Sequence, residues 1–203
     1  MPRFANAEKE EIKNSTRKKL LNAATMEFAN KGFSGANINH ISIAAGYATG
    51  TVYNYFPSKR ALMLELIDDI GAHHTTFIVD RVIAEPHPIE RVKTFFQAGF
   101  RYVEKYPEKA QVAINAVYGF DREFKERIYQ AYQALFNLLI DDIIAFGVNQ
   151  GEFKPSNPDT ASALLMSIYL GGSSLYNPNG GVWFDPEIVT AFVMDGLAES
   201  EGG

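Results

Sequence analysis

The sequence predicts an all-α protein, and three observations carry that expectation. Apolar residues recur three and four positions apart, as at Leu20, Ala23, Ala24 and Phe28, which lines them along one side of a helix. No segment shows the sustained apolar-polar alternation of a half-buried strand. Prolines stand where helices can begin, at Pro88, Pro107, Pro158 and Pro186, and glycines where they can end. Together these marks divide the chain into about nine helices.

Taken in order, residues 1–14 are polar and read as a loose arm or a helical extension. Asn14 or Ser15 can cap a first helix whose buried stripe is Leu20, Ala23, Ala24 and Phe28, with Leu21 beside it, and which Gly32 ends. Asn37 can cap a second helix carrying Ile38, Ile41, Ala44 and Ala45, and Thr49 a third. Pro57 or Ser58 opens a fourth that continues through Leu62, Leu66, Ile67 and Ile70. Residues 88–105 form one amphipathic stretch and 107–117 a shorter one, broken by Gly119. Asp121 caps a long helix to about Asn149. Asn157-Pro158-Asp159 opens the next, which ends near Gly171-Gly172. A turn-rich loop, Asn177-Pro178-Asn179-Gly180-Gly181, precedes the last helix at Asp185-Pro186-Glu187.

With 203 residues, 46% of them hydrophobic and 21% charged, the chain can bury a real core. No apolar run reaches the length of a bilayer span, and the polar amino terminus argues against a signal peptide. There are no cysteines, which excludes disulfides and thiolate chemistry and fits a cytoplasmic protein. The net charge of −5 is unevenly spread. Residues 1–60 carry nine Lys/Arg and four Asp/Glu (+5), leaving ten and twenty (−10) for the remainder. A basic end can face phosphate while an acidic remainder stays away from it.

Residues 46–59 hold the most informative local pattern. Gly46 is a natural stop for the helix over 38–45. After it, Thr49 to Tyr55 makes a helix of about two turns, closed by Pro57 and rich in hydroxyls, an amide and tyrosines. Such side chains suit phosphate oxygens and base edges. Helix, glycine turn and short second helix outline a helix-turn-helix. The spaced run Thr16-Arg17, Leu20-Leu21, Ala23-Ala24, Phe28, Lys31-Gly32-Phe33, Ile38, Ile41, Ala44-Ala45-Gly46, Gly50 to Phe56, Ser58-Lys59 and Leu62 resembles the amino-terminal domain of the tetracycline-repressor (TetR) family.

That resemblance implies a DNA-binding domain over 14–74 and a helical ligand-binding and dimerisation domain over 75–203. It implies DNA-facing positions at Asn37, His40, Tyr47, Ala48, Thr49, Gly50, Thr51, Tyr53, Asn54, Tyr55 and Lys59, with Lys59 a phosphate partner. It also implies a homodimer, double-stranded operator DNA as partner, and release by a small apolar or aromatic ligand. The sequence departs from the family pattern where Ser-Lys often stands and Ala48-Thr49 is found, where a helix-opening Thr is replaced by Ala36-Asn37, and where His40 takes an acidic position.

Beyond residue 75 the chain crowds aromatics. Phe96 and Phe100 share one helix face; Tyr129, Tyr132 and Phe136 share another. We expect Phe96, Phe100, Tyr118, Tyr132 and Phe136 to line an apolar pocket. The alternative is a filled core, which would leave a helix-turn-helix protein without a small-molecule switch. Asp69 and His73 are four apart on one helix, but no further metal ligand accompanies them. No phosphate-cradling loop, nucleophile turn or zinc signature is present, so neither enzyme nor cofactor is expected. For the dimer we expect helices over 159–176 and 186–198 to pair with their copies.

Overall fold

In the computed structural model, residues 2–154, 157–175 and 181–197 are described, with side chains from residue 8. Ten helices and no strands make up these residues. Helix α1 (Pro2–Gly35) begins well before Asn14, so the arm is helical, and it breaks at Gly32 (φ 64°, ψ 177°) where the sequence places its end. Helix α2 (Ile38–Ala45) is capped by Asn37, whose side chain accepts from the Asn39 amide at 2.8 Å. Helix α3 (Thr49–Tyr55) has Ala48 at its cap position, not Thr49. Helix α4 (Lys59–Ile83) is capped by Ser58 and runs 25 residues.

Helices α5 (Pro88–Lys105) and α6 (Pro107–Tyr118) start on their prolines as expected. The single helix anticipated over 121–149 is instead two. Asp121 caps α7 (Arg122–Ala131), Tyr132 leaves helical geometry (φ −102°, ψ 7°), and α8 (Gln133–Asn149) departs at 52°. The middle of α8, Leu138–Ala145, is π-helical. Periodicity alone did not reveal this break, because the apolar spacing continues through it. Helices α9 (Pro158–Ser174) and α10 (Pro186–Leu197) complete the fold. Residues 177–180 of the expected loop, and positions 176 and 198 at the ends of the proposed pairing helices, lie outside the described residues. No single helix among the described residues is long and apolar enough to cross a membrane.

Two apolar cores meet along α4. Leu62, Leu66, Ile67 and Ile70 belong to the first, with Leu20, Phe28, Ile41, Val52 and Phe56 from α1–α3. Ile78 and Val82 belong to the second, with Phe95, Phe96, Leu139 and Tyr169 among others. The first core is completed by residues far along the chain: Val112 and Ala116 on α6, Phe124 and Ile128 on α7. Where α4 crosses α7 the backbones nearly touch. A Cβ on Gly71 would lie 2.7 Å from Ala131 Cβ and 3.0 Å from its carbonyl oxygen, so only glycine fits there.

Candidate nucleic-acid interface and interior cavity

The turn between α2 and α3 rests on Gly46, which adopts φ 78° and directs its amide to the Ile43 carbonyl at 3.0 Å. A side chain there would meet the left-handed penalty of about 1–2 kcal/mol. The two helices are then fixed by hydroxyls. Thr49 Oγ1 donates to Asn39 Oδ1 at 2.9 Å, and Ser42 Oγ, buried 3.1 Å from Thr49 Oγ1, donates to the Asn39 carbonyl. Ser42 and Asn39 are structural members of the motif beyond those expected from the sequence pattern. The buried position of Ser42, one after Ile41 on the inner stripe, was the available signal.

On α3, Val52 and the following Phe56 point inward and are fully buried. This leaves Gly50, Tyr53 and Asn54 outward, with Thr51 and Tyr55 half-buried; Tyr53 is 50% exposed. Ala48 is also exposed. The other expected contacts are engaged within the protein. Asn37 caps α2. Tyr47 lies with its hydroxyl 3.3 Å from Thr16 Oγ1 and its ring under Lys19, 6.0 Å from the centroid. His40 and Lys31 both approach Glu27 Oε1, at 3.2 and 3.0 Å, and the Asn37 amide donates to the same oxygen. Although partial burial acts to raise it, the Glu27 carboxyl is held below its ordinary range by these three donors. Lys59 Nζ donates to the Ser34 and Ala36 carbonyls at 3.3 and 2.9 Å and sits over the Phe33 ring. Its first role is therefore to tie the start of α4 to the α1–α2 junction.

The neighbouring Arg60 fastens this unit to α7. It donates to Asp121 Oδ2 at 2.8 Å and to Glu123 Oε2 at 2.6 Å, and its guanidinium covers the Phe124 ring. Its partnership with Asp121, then Glu123, raises the guanidinium pKa, and Arg60 lowers that of Asp121. Arg127 pairs with Asp68 and Arg17 with Glu65. Asp69 pairs with Lys109 at 3.3 Å and His73 meets the Tyr102 hydroxyl at 3.0 Å, so both candidate metal ligands are committed elsewhere.

Behind α6 and α7 lies an apolar cavity of about 60 Å³. Its walls come from His74 on α4, Ala113 and Val117 on α6, Ile128 and Tyr129 on α7, Tyr132 at the break, Phe136 on α8, and Met166 and Tyr169 on α9. Of the five expected pocket residues, only Tyr132 and Phe136 are on this wall. Phe96 and Phe100 fill the second core, 0% and 2% exposed. Tyr118 is 56% exposed and away from it. The sequence pattern placed aromatics on helix faces but could not say which face turned inward. His74, a buried polar residue of this wall, follows His73 in the sequence, and nothing in the local pattern shows that it turns inward.

Burial, helped by His73, depresses the His74 pKa to about 3. Unfolded, the imidazole titrates near 6.5, so between these values the unfolded chain binds the extra proton. Stability from this group is present above pH 6.5 and is lost as pH falls towards 3, at roughly 1.4 kcal/mol per pH unit. Urea melts at pH 7 and pH 5 should show this loss in the parent and a much smaller one in His74→Gln.

A compact bundle in which a two-turn helix presents polar side chains after a glycine turn is a helix-turn-helix DNA-binding protein. Residues 20–66 match the bacterial regulatory proteins of the tetR family. That segment carries the amino-terminal, DNA-binding domain of the family. It is 28% identical to the HTH-type transcriptional repressor KstR2 of Mycobacterium tuberculosis over 152 residues, 70% of this chain and 71% of the relative. The fold is shared with the transcriptional regulator FadR from Bacillus subtilis, solved with stearoyl-CoA (TM-score 0.76, 18% identity, 88% of this chain and 95% of that one). It is also shared with AibR, solved with isovaleryl coenzyme A and operator DNA (TM-score 0.73, 15% identity, 90% and 98%).

Proposed function

We propose that this protein is a homodimeric transcriptional repressor that leaves its operator when a small apolar molecule occupies the cavity behind α6 and α7. One observation carries the reading. The helices that wall the cavity, α6 and α7, also supply Val112, Ala116, Phe124 and Ile128 to the core of the DNA-reading unit. A ligand that displaces them moves the unit bearing α3. Reciprocity then requires operator DNA to weaken ligand binding. The relatives' names support this: KstR2 is a repressor, and FadR and AibR were solved with acyl-CoA molecules. At about 60 Å³ the cavity is smaller than the ~300 Å³ of a usual drug-sized site, so a larger ligand must open it. We take 14–74 and 75–203 as the two functional units; the change along α4 from one core at Ile70 to the other at Ile78 supports that division. Catalysis has no part in this reading.

The DNA contacts follow from exposure. Tyr53, Asn54 and Thr51 read bases or adjoining phosphates, the amides around Gly50 approach the backbone, and Lys19 and Lys59 supply cations. Tyr53→Ala should weaken operator binding about tenfold or more, the scale of a lost base contact, with an unchanged melting temperature. Lys59→Ala should weaken all sequences alike and flatten the salt dependence by about one unit of slope. Because Lys59 also holds two carbonyls, that variant should additionally melt earlier. Fluorescence anisotropy over a salt series measures both. Unchanged affinity and slope in both variants would place the DNA face elsewhere. The switch is tested separately, by screening apolar compounds for release of bound operator.

A further inference from the structure

Three tyrosines and one histidine form a polar cluster, of which His74, Tyr132 and Tyr169 line the cavity. His74 is 5% exposed. Its Nδ1 lies 2.8 Å from the Tyr132 hydroxyl and its Nε2 2.9 Å from the Tyr169 hydroxyl. Its ring stacks on Tyr102 at 3.9 Å. Tyr169 also reaches the Gly99 carbonyl, at 3.3 Å. Ser173 Oγ is buried on the same wall, close enough to bias the Tyr169 phenol yet without a hydrogen bond of ordinary geometry. The remaining wall is hydrocarbon and aromatic, and it includes no Asp, Glu, Lys or Arg.

Proton bookkeeping shows what this cluster can offer. A neutral imidazole has one N–H and one acceptor nitrogen. With the hydrogen on Nε2, His74 donates to Tyr169, Tyr169 donates to Gly99, and Tyr132 donates to Nδ1. The Tyr132 oxygen then faces the cavity as an acceptor. With the hydrogen on Nδ1, His74 donates to Tyr132, Tyr169 donates to Nε2, and the Tyr132 hydroxyl hydrogen becomes free. The cavity then has a donor. A change of tautomer thus converts the polar end from acceptor to donor without creating a charge. Burial keeps the imidazole neutral, so an anion finds no counter-charge there.

We propose that the cavity selects an uncharged apolar molecule, or the uncharged end of a longer one, carrying a single hydrogen-bonding oxygen that is read by Tyr132 through the His74 tautomer. A carbonyl, which can only accept, selects the Nδ1–H form, whereas an alcohol can accept or donate and fits either. Because His74 sits on α4 and Tyr169 on α9, the same oxygen is linked through Tyr132 and His74 to the helix that leads to the DNA reader and to a helix of the proposed dimer face. The inference rests on the ligand-release reading above.

The test uses the full-length protein with four five-carbon probes: 2-pentanone, 2-pentanol, pentane and pentanoate. Methyl resonances of Val117, Ile128 and Met166 report occupancy, and the imidazole ¹⁵N resonances of His74 report the tautomer. The expected result is that ketone and alcohol bind about three- to tenfold more tightly than pentane, as one added hydrogen bond allows. The ketone should also move the two imidazole nitrogens in opposite senses, towards the Nδ1–H form, and pentanoate should not bind. In Tyr132→Phe the preference over pentane should vanish while pentane still binds. If all neutral probes bind alike and the imidazole resonances stay fixed, or if pentanoate binds as well as the ketone, the selectivity is wrong although the cavity still takes ligand. If no probe shifts the cavity methyls, the inference and the ligand-release reading both fall. The tautomer readout needs only the parent protein, so a Tyr132→Phe variant that fails to fold does not remove the test.

Discussion

Phe96→Ala should lower the stability of the folded protein by about 3–5 kcal/mol, the cost of deleting a ring from a close-packed core. The side chain is fully buried, its centroid 5.3 Å from that of Phe95 and 6.0 Å from that of Phe100. Phe100→Ala should behave alike, since its ring packs against Tyr169 and Phe184 and stands over Gly172. A loss of this size takes a large share of the 5–15 kcal/mol that holds a domain together, so both variants should melt far below the parent. Tyr132→Phe, by contrast, keeps its ring and should lose much less. Urea denaturation of the three proteins decides the matter. Near-parental midpoints for Phe96→Ala and Phe100→Ala would mean that these rings line an open pocket after all.

Phe192→Asp should abolish the dimer and, with it, most operator affinity. Phe192, Ile188 and Leu164 are 74%, 70% and 61% exposed, and Trp183 stands beside them along a groove between α9 and α10. A contiguous apolar face of this kind marks an interaction site. Other residues of the same two helices are spent inside the subunit: Ala161, Leu165, Val189 and Val193 are buried in its own core. The exposed apolar face lies on the two helices expected to pair, 159–176 and 186–198. A carboxylate at position 192 would have to be desolvated twice, once from each subunit, in a symmetric interface. Monomers would engage half-sites singly and should bind operator at least 100-fold more weakly, having lost the linkage between two readers. Analytical ultracentrifugation measures the first effect and anisotropy the second. A variant that sediments like the parent would move the interface to another surface.

Some parts of this architecture are disclosed by the sequence and others are not. Helix starts were legible because caps and prolines act locally: Asn37, Ser58, Asp121 and Asn157 each accept from an amide two or three residues on. The reading helix was legible because Gly46 must turn the chain and Val52 and Phe56 must face inward, which leaves Tyr53 and Asn54 outward. The bend at Tyr132 was hidden, since the apolar spacing runs through it and the partner of the Tyr132 hydroxyl, His74, lies 58 residues earlier in the chain. The same holds for Lys59, whose partners Ser34 and Ala36 are brought to it only by the fold. Pocket-facing and core-facing aromatics were indistinguishable for a related reason. Helical spacing gives a shared face, but which neighbour that face meets is a tertiary fact. The Arg60 clamp on Asp121 and Glu123 was likewise out of reach, although each residue is charged and in plain view.

The central claim is that two copies of α3 read operator DNA one helical turn apart. Selection of bound fragments from a random DNA pool by the full-length protein tests it most directly. The account expects an enriched inverted repeat with half-site centres about 10 base pairs, or a multiple of that, apart. It also expects the same selection with Tyr53→Ala to lose enrichment within each half-site. Recovery of unenriched sequence, with binding that depends on salt alone, would contradict it.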